Sequence, residues 1–126
     1  MHLRALAQIH DITVKEGYMN RITGLYVPET RTIVISARFN YETQRVALAH
    51  QLGHARLKHP LALDRPKTAE QERAADEWAA TQLLKADRYS EAAKAFQGNT
   101  RAMAAHLSVT PEIIHAWANR MGRWCA

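Results

Sequence analysis

His50 and His54 stand four residues apart in the run Ala49-His50-Gln51-Leu52-Gly53-His54. A helix turns once in about 3.6 residues, so this spacing sends both imidazoles off one face, one above the other. Two ring nitrogens so placed can meet one tetrahedral zinc ion at about 2.0–2.1 Å. In the His-Glu-x-x-His pattern the glutamate after the first histidine is the general base that activates water. Here that place is held by Gln51. Histidines four apart also occur on ordinary helices, so the pair needs support from elsewhere in the chain. Gly53 supplies some, because it leaves a bare spot beside His54 where another backbone can come close.

A third ligand should be an acidic residue downstream, and Glu70, Glu72, Asp76 and Glu77 are the candidates. Helical phase separates them. Glu72 shares a stripe with Ala75, Asp76, Ala79 and Leu83, whereas Glu70 aligns with Ala74, Glu77 and Thr81 on a more polar face. A carboxylate on an apolar stripe needs a compensating partner, and a metal ion is one. Glu72 is therefore the expected third ligand. Asp76, one turn on, is placed to accept the outer N–H of a ligand histidine and fix its tautomer; the alternative is an ordinary surface or helix-pairing carboxylate. A metzincin needs its third histidine where this chain has Pro60, which excludes that pattern. His59 is expected to be structural, at a helix end that favours positive charge. His2, His10, His106 and His115 lack ligand-like spacing and are expected in core or surface roles.

The elements that must hold these residues can be read from periodicity. Leu3, Leu6 and Ile9 suggest a short helix followed by an extended stretch. The runs 21–27 and 32–36 are β-rich and flank Pro28-Glu29-Thr30-Arg31, which reads as a β-hairpin. Asn40 is the expected N-cap for the metal helix, about 41–58. Residues 60–67 read as a loop. Thr68-Ala69-Glu70-Gln71 has the capping-box pattern and opens a helix to about Lys85. A short helix over 88–97 ends at Gly98-Asn99. Residues 100–107 and 111–121 form two further helices around Ser108-Val109-Thr110, with Thr110 as cap and Pro111 at the first helical position. The fold class expected is α+β, a small zincin-like domain over 1–126 with a helical subregion at about 99–126.

The 126 residues are 47% hydrophobic, enough for a core without disulfides. Cys125 is the one cysteine. It fits a reducing, cytoplasmic setting and reads as an exposed terminal thiol. No apolar run approaches the roughly 20 residues of a membrane span, and the first residues lack a signal peptide's apolar stretch. The net charge of +5 and a pI near 9.7 allow an acidic partner, but the basic residues are scattered.

The stretch Gly24-Leu25-Tyr26, the hairpin, then 47–59 around His50-Gln51-Leu52-Gly53-His54, resembles the ImmA/IrrE family of metallopeptidases. So does Glu72-Arg73-Ala74-Ala75-Asp76-Glu77-Trp78-Ala79-Ala80-Thr81-Gln82-Leu83-Leu84. The likeness is close over about 20–85 and loose in the tail. It implies a gluzincin-like site with zinc on His50, His54 and Glu72, and position 51 as the base. Members are often encoded by phages and mobile elements and cleave or otherwise inactivate a helix-turn-helix repressor. One branch acts in the response to DNA damage. The substrate so implied is a repressor laid along the edge of the hairpin sheet. The chain departs from the family at Gln51 and after Leu84, where Lys85-Ala86-Asp87 replaces a frequent Met-Pro; the second change bears on the shape of the cleft.

Glutamine is nearly isosteric with glutamate but cannot take a proton from water. General-base help contributes typically about 10²–10⁴ in rate, so strong impairment is expected. The chain is either a natural pseudo-enzyme or an enzyme whose glutamate was replaced by design; the otherwise complete motif favours replacement. The tail offers a rival reading, since 100–121 has helix-turn-helix features. Its second helix would present Glu112, Ile113, His115, Ala116 and Asn119, poor in Arg and Lys, so DNA is not the expected partner. Tyr26, Tyr41, Tyr89 and Arg88 are all candidates to stabilise an oxyanion, and nothing in the sequence selects among them.

Overall fold

A computed structural model describes residues 2–58 and 68–125, with side-chain surroundings given up to Gly122. Helix α1 spans His2–Ile9, and strands β1, β2 and β3 span Thr13–Gly17, Gly24–Val27 and Thr32–Ser36. Five helices follow: α2 Tyr41–Arg56, α3 Ala69–Leu83, α4 Ala86–Ala95, α5 Thr100–Leu107 and α6 Pro111–Cys125. The chain is thus α+β among its described residues. The expectations for His59 and for the loop 60–67 fall outside those residues, as does the side chain of Cys125.

The hairpin forms, with β2 antiparallel to β3 and Gly24 opposite Ile35. It is part of a larger sheet of order β1-β3-β2, because the extended stretch after α1 pairs parallel with β3, Thr13 opposite Thr32. Period-2 alternation on β3 turns Ile33 and Ile35 inward, at 0% and 3% exposure. Ser36 is also fully buried. Its hydroxyl donates to the Met19 carbonyl at 2.7 Å and accepts the Met19 N–H at 3.0 Å. That pins the loop leading into β2.

Helix α2 starts where Asn40 accepts the Thr43 N–H and packs across β2, β3 and α3. Helix α3 opens on the full capping box, Thr68 bonding Gln71 in both directions. Where α2 crosses α3, Gly53 is buried, and a Cβ there would lie 3.0 Å from the Ala75 carbonyl oxygen and 3.2 Å from its Cα. The glycine is what allows the two backbones to come this close. Burial of Leu48, Ala49, Leu52, Ala79, Ala80 and Leu83 continues the core between the helices.

Helices α5 and α6 meet at a turn with Ser108 in the left-handed region, φ 58°. Thr110 does not cap α6 as the sequence suggests: its hydroxyl is buried with no hydrogen-bond partner among the described residues. Its carbonyl does bond the Ile113 N–H. Ile113, Ile114, Ala116 and Trp117 of α6 are buried, and α6 packs on α3 and α5. No described helix is long and apolar enough to cross a membrane.

Candidate metal centre

The α2–α3 contact brings three side chains to one point. Nε2 of His50 and Nε2 of His54 are 2.9 Å apart, with the rings nearly perpendicular at 87°. Oε1 of Glu72 lies 2.6 Å from Nε2 of His54 and 3.3 Å from Nε2 of His50. His54 is buried and His50 nearly so, while the Glu72 side chain is 51% exposed. The group therefore runs from a buried imidazole to a half-exposed carboxylate. The apolar stripe expected under Glu72 begins one turn later, at Ala75 and Ala79.

On the far side of the His50 ring, Nδ1–H donates to Oδ1 of Asp76 at 2.7 Å. With the proton held there, the neutral ring keeps its lone pair on Nε2, facing His54 and Glu72. Burial works against a charged His50. The hydrogen bond to Asp76 and the charges of Asp76 and Glu72 together outweigh it, so its pKa is raised above the usual 6.5.

The donor set suits a divalent cation of the zinc type. Two imidazole nitrogens and one carboxylate oxygen all lie within 4.8 Å of one another. Atoms bound tetrahedrally at about 2.0–2.1 Å stand roughly 3.3 Å apart. The His50–Glu72 pair has that separation; a shift of the half-exposed Glu72 opens its contact with His54, and the two imidazoles need to part only slightly. These residues can hold a metal ion.

A family model for the IrrE N-terminal-like domain matches residues 6–118. The chain belongs to this peptidase family. No curated protein compared with it matches. In this IrrE-like domain the second residue of the helix motif is Gln51, and its Nε2 donates to the Gly24 carbonyl of β2 at 3.3 Å. Position 51 thus lies between the metal helix and the sheet edge.

The oxyanion candidates separate by location. Tyr26 is buried in the sheet, and Tyr89 stacks on Trp117 with centroids 5.6 Å apart; both pack. Tyr41 and Arg88 are exposed. His2, His10, His106 and His115 lie at the surface or its margin: His2 meets Gln82 at 3.3 Å and His106 packs against Phe96.

Glu77, assigned from phase to a polar face, is instead buried at 4% exposure. The wheel places it correctly relative to Glu70. It does not show which sides of α3 the neighbouring helices α2 and α6 cover. Ser36 was missed as well, and no periodicity signals a serine whose partner is a loop 17 residues away.

Proposed function

We propose that the chain is a zinc-dependent regulator of the endopeptidase type that acts on a helix-turn-helix repressor and relieves phage or mobile-element silencing, in the cytoplasm. His50, His54 and Glu72 would hold the zinc, and Asp76 would orient His50. When bound, the metal supplies Lewis-acid polarisation of a peptide carbonyl. Asp76 keeps the His50 proton on Nδ1, and His54 fixes the buried side of the donor set. The β2 edge offers backbone groups to an extended peptide segment.

The observation that carries this reading is the convergence of the three donor atoms in a chain of this family. Gln51 occupies the place of the base and cannot accept a proton from water, so cleavage by this chain is strongly impaired. The otherwise complete donor set favours an enzyme whose glutamate was replaced, and the native gene sequence tests that directly. A second reading is a pseudo-peptidase that binds the repressor without cutting it, with Gln51 as its native residue.

The test has two steps. Untagged protein should contain about one zinc per chain, and Glu72→Ala should lose it. Gln51→Glu, incubated with the cognate repressor, should then yield fragments at least about a hundredfold faster than the parent chain. A zinc-loaded Gln51→Glu protein that leaves the repressor intact would favour binding alone.

A further inference from the structure

The register of the hairpin fixes which way Gly24 points. In antiparallel pairs, hydrogen-bonded and non-hydrogen-bonded partners alternate. The Ser36 N–H donates to the Thr23 carbonyl at 2.9 Å, so Thr23 and Ser36 form a bonded pair. The next pair, Gly24 with Ile35, is then a non-bonded one, and the N–H and C=O of Gly24 face away from β3. Strand β2 is at the end of the sheet order. The carbonyl that receives the Gln51 amide is therefore on the outer edge of the sheet, which no described strand pairs, where an added strand would seek its first acceptor.

The local packing supports a specific role for residue 51. A Cβ at Gly24 would lie 3.3 Å from Cγ of Gln51 and 3.1 Å from Cδ1 of Ile35. The glycine lets the stem of residue 51 lie against the strand. An amide in that position can donate to the carbonyl. An ionised carboxylate would set two acceptors face to face with no proton between them. The bond is thus a property of glutamine and not of the glutamate it replaces.

We infer that Gln51 is a positioning residue that ties β2 to the metal helix and competes with an incoming peptide strand for the Gly24 carbonyl. This rests on the reading of β2 as the docking edge. The residue then does two things at once: it withholds a base, and it closes the first acceptor of the edge. A bound segment must displace the Gln51 amide before it can pair at Gly24. Losing one such competing bond should tighten docking by about two- to tenfold.

Nuclear magnetic resonance on the full chain tests the tie without a substrate. The Gln51 side-chain amide protons should exchange more slowly than those of the exposed Gln8 and Gln97. The Gly24 carbonyl carbon should shift upfield in Gln51→Met, which keeps the length and removes the donor. Gln51→Ala serves if the methionine variant does not fold. Amide exchange at Gln51 as fast as at Gln8, with an unmoved Gly24 carbonyl, would overturn the tie. Competition is read with an acetyl-capped hexapeptide of alternating valine and threonine, titrated into the parent chain and Gln51→Met. Two- to tenfold tighter binding to the variant supports the inference, and equal binding refutes it. Binding to neither would remove the docking reading of β2, and the inference with it, while the slow Gln51 exchange would persist.

Discussion

Nδ1 of His50 and Oδ1 of Asp76 are 2.7 Å apart, joined across the contact between α2 and α3. The bond sets the tautomer of a residue whose other nitrogen faces the candidate metal position. Removing such a partner typically lowers metal affinity by about 10–100-fold. Asp76→Ala should therefore bind zinc about 10–100-fold more weakly in a chelator competition, with an unchanged circular dichroism spectrum. An affinity equal to that of the parent chain would make Asp76 a helix-pairing carboxylate and nothing more.

The same pair gives the metal-free protein a pH dependence of known sign. The His50 pKa is raised in the folded state, so the folded chain binds this proton more tightly than the unfolded one. The resulting stabilisation is fully present below about pH 6.5, the ordinary histidine value, and is lost as pH rises through the raised value. Zinc competes for the same residue, so its affinity should fall as pH drops through that range. Melting of the metal-free chain and zinc titration, each followed against pH, should thus slope in opposite directions. Asp76→Asn should flatten the first curve.

The ligands differ in burial, and their variants should differ in kind. The Glu72 side chain is half exposed, and its charge interaction with His54 is screened by water. Glu72→Ala should lose zinc while changing the stability of the metal-free fold by no more than about 1 kcal/mol. His54 is 1% exposed, buried beneath the carboxylate. His54→Ala leaves a hole there, and buried large-to-small changes cost about 2–5 kcal/mol. Urea titration of the metal-free proteins separates the two: a large loss in Glu72→Ala would mean its carboxylate is structural.

How much of this was legible follows from where each signal resides. The His50–His54 spacing, the Thr68 capping box and the bare spot at Gly53 are local, and a single helix expresses them. The meeting of Glu72 with the histidines is not local, yet one wheel on α3 sufficed to choose it over Glu70, because Ala75, Ala79 and Leu83 mark the buried side. What escaped depends on elements that arrive from a distance. β1 reads as an extended stretch, but only pairing shows that it runs parallel beside β3. Glu77 looks exposed on α3 alone and is buried in the assembled fold. Thr110 has the residue type and position of a cap, but its hydroxyl makes no bond among the described residues.

Gly53 sets two opposing effects against each other. Alanine is the better helix former by about 0.8–1 kcal/mol. Its methyl, however, would lie 3.0 Å from the Ala75 carbonyl oxygen and 3.3 Å from Cε3 of Trp78. Neither backbone can yield without moving a helix, and overpacking of this kind costs typically about 1–3 kcal/mol. Gly53→Ala should therefore be less stable by up to about 2 kcal/mol in urea, despite the propensity gain. The movement separates the helix carrying His50 and His54 from the one carrying Glu72 and Asp76, so zinc affinity should fall too. A variant more stable than the parent would show that the crossing has slack.

The α5–α6 pair bears on the rival idea of a DNA reader. A recognition helix must present a free face with donors for base edges and phosphates. Here Ile113, Ile114, Ala116 and Trp117 are at most 8% exposed, which commits much of α6 to packing. Among its described residues the exposed positions include Glu112, His115, Ala118 and Asn119, with one acid and no Lys or Arg, and Arg120 is half-buried. The charge of +5 comes from basic residues scattered along the chain, which gives only diffuse attraction. Binding to a mixed-sequence duplex, followed by fluorescence anisotropy, should be weak at 50 mM salt and undetectable at about 200 mM. His115→Ala and Asn119→Ala should leave even that residue of binding unchanged. Tight binding that either substitution abolishes would return α6 to the role of a reader and move the partner from protein to nucleic acid.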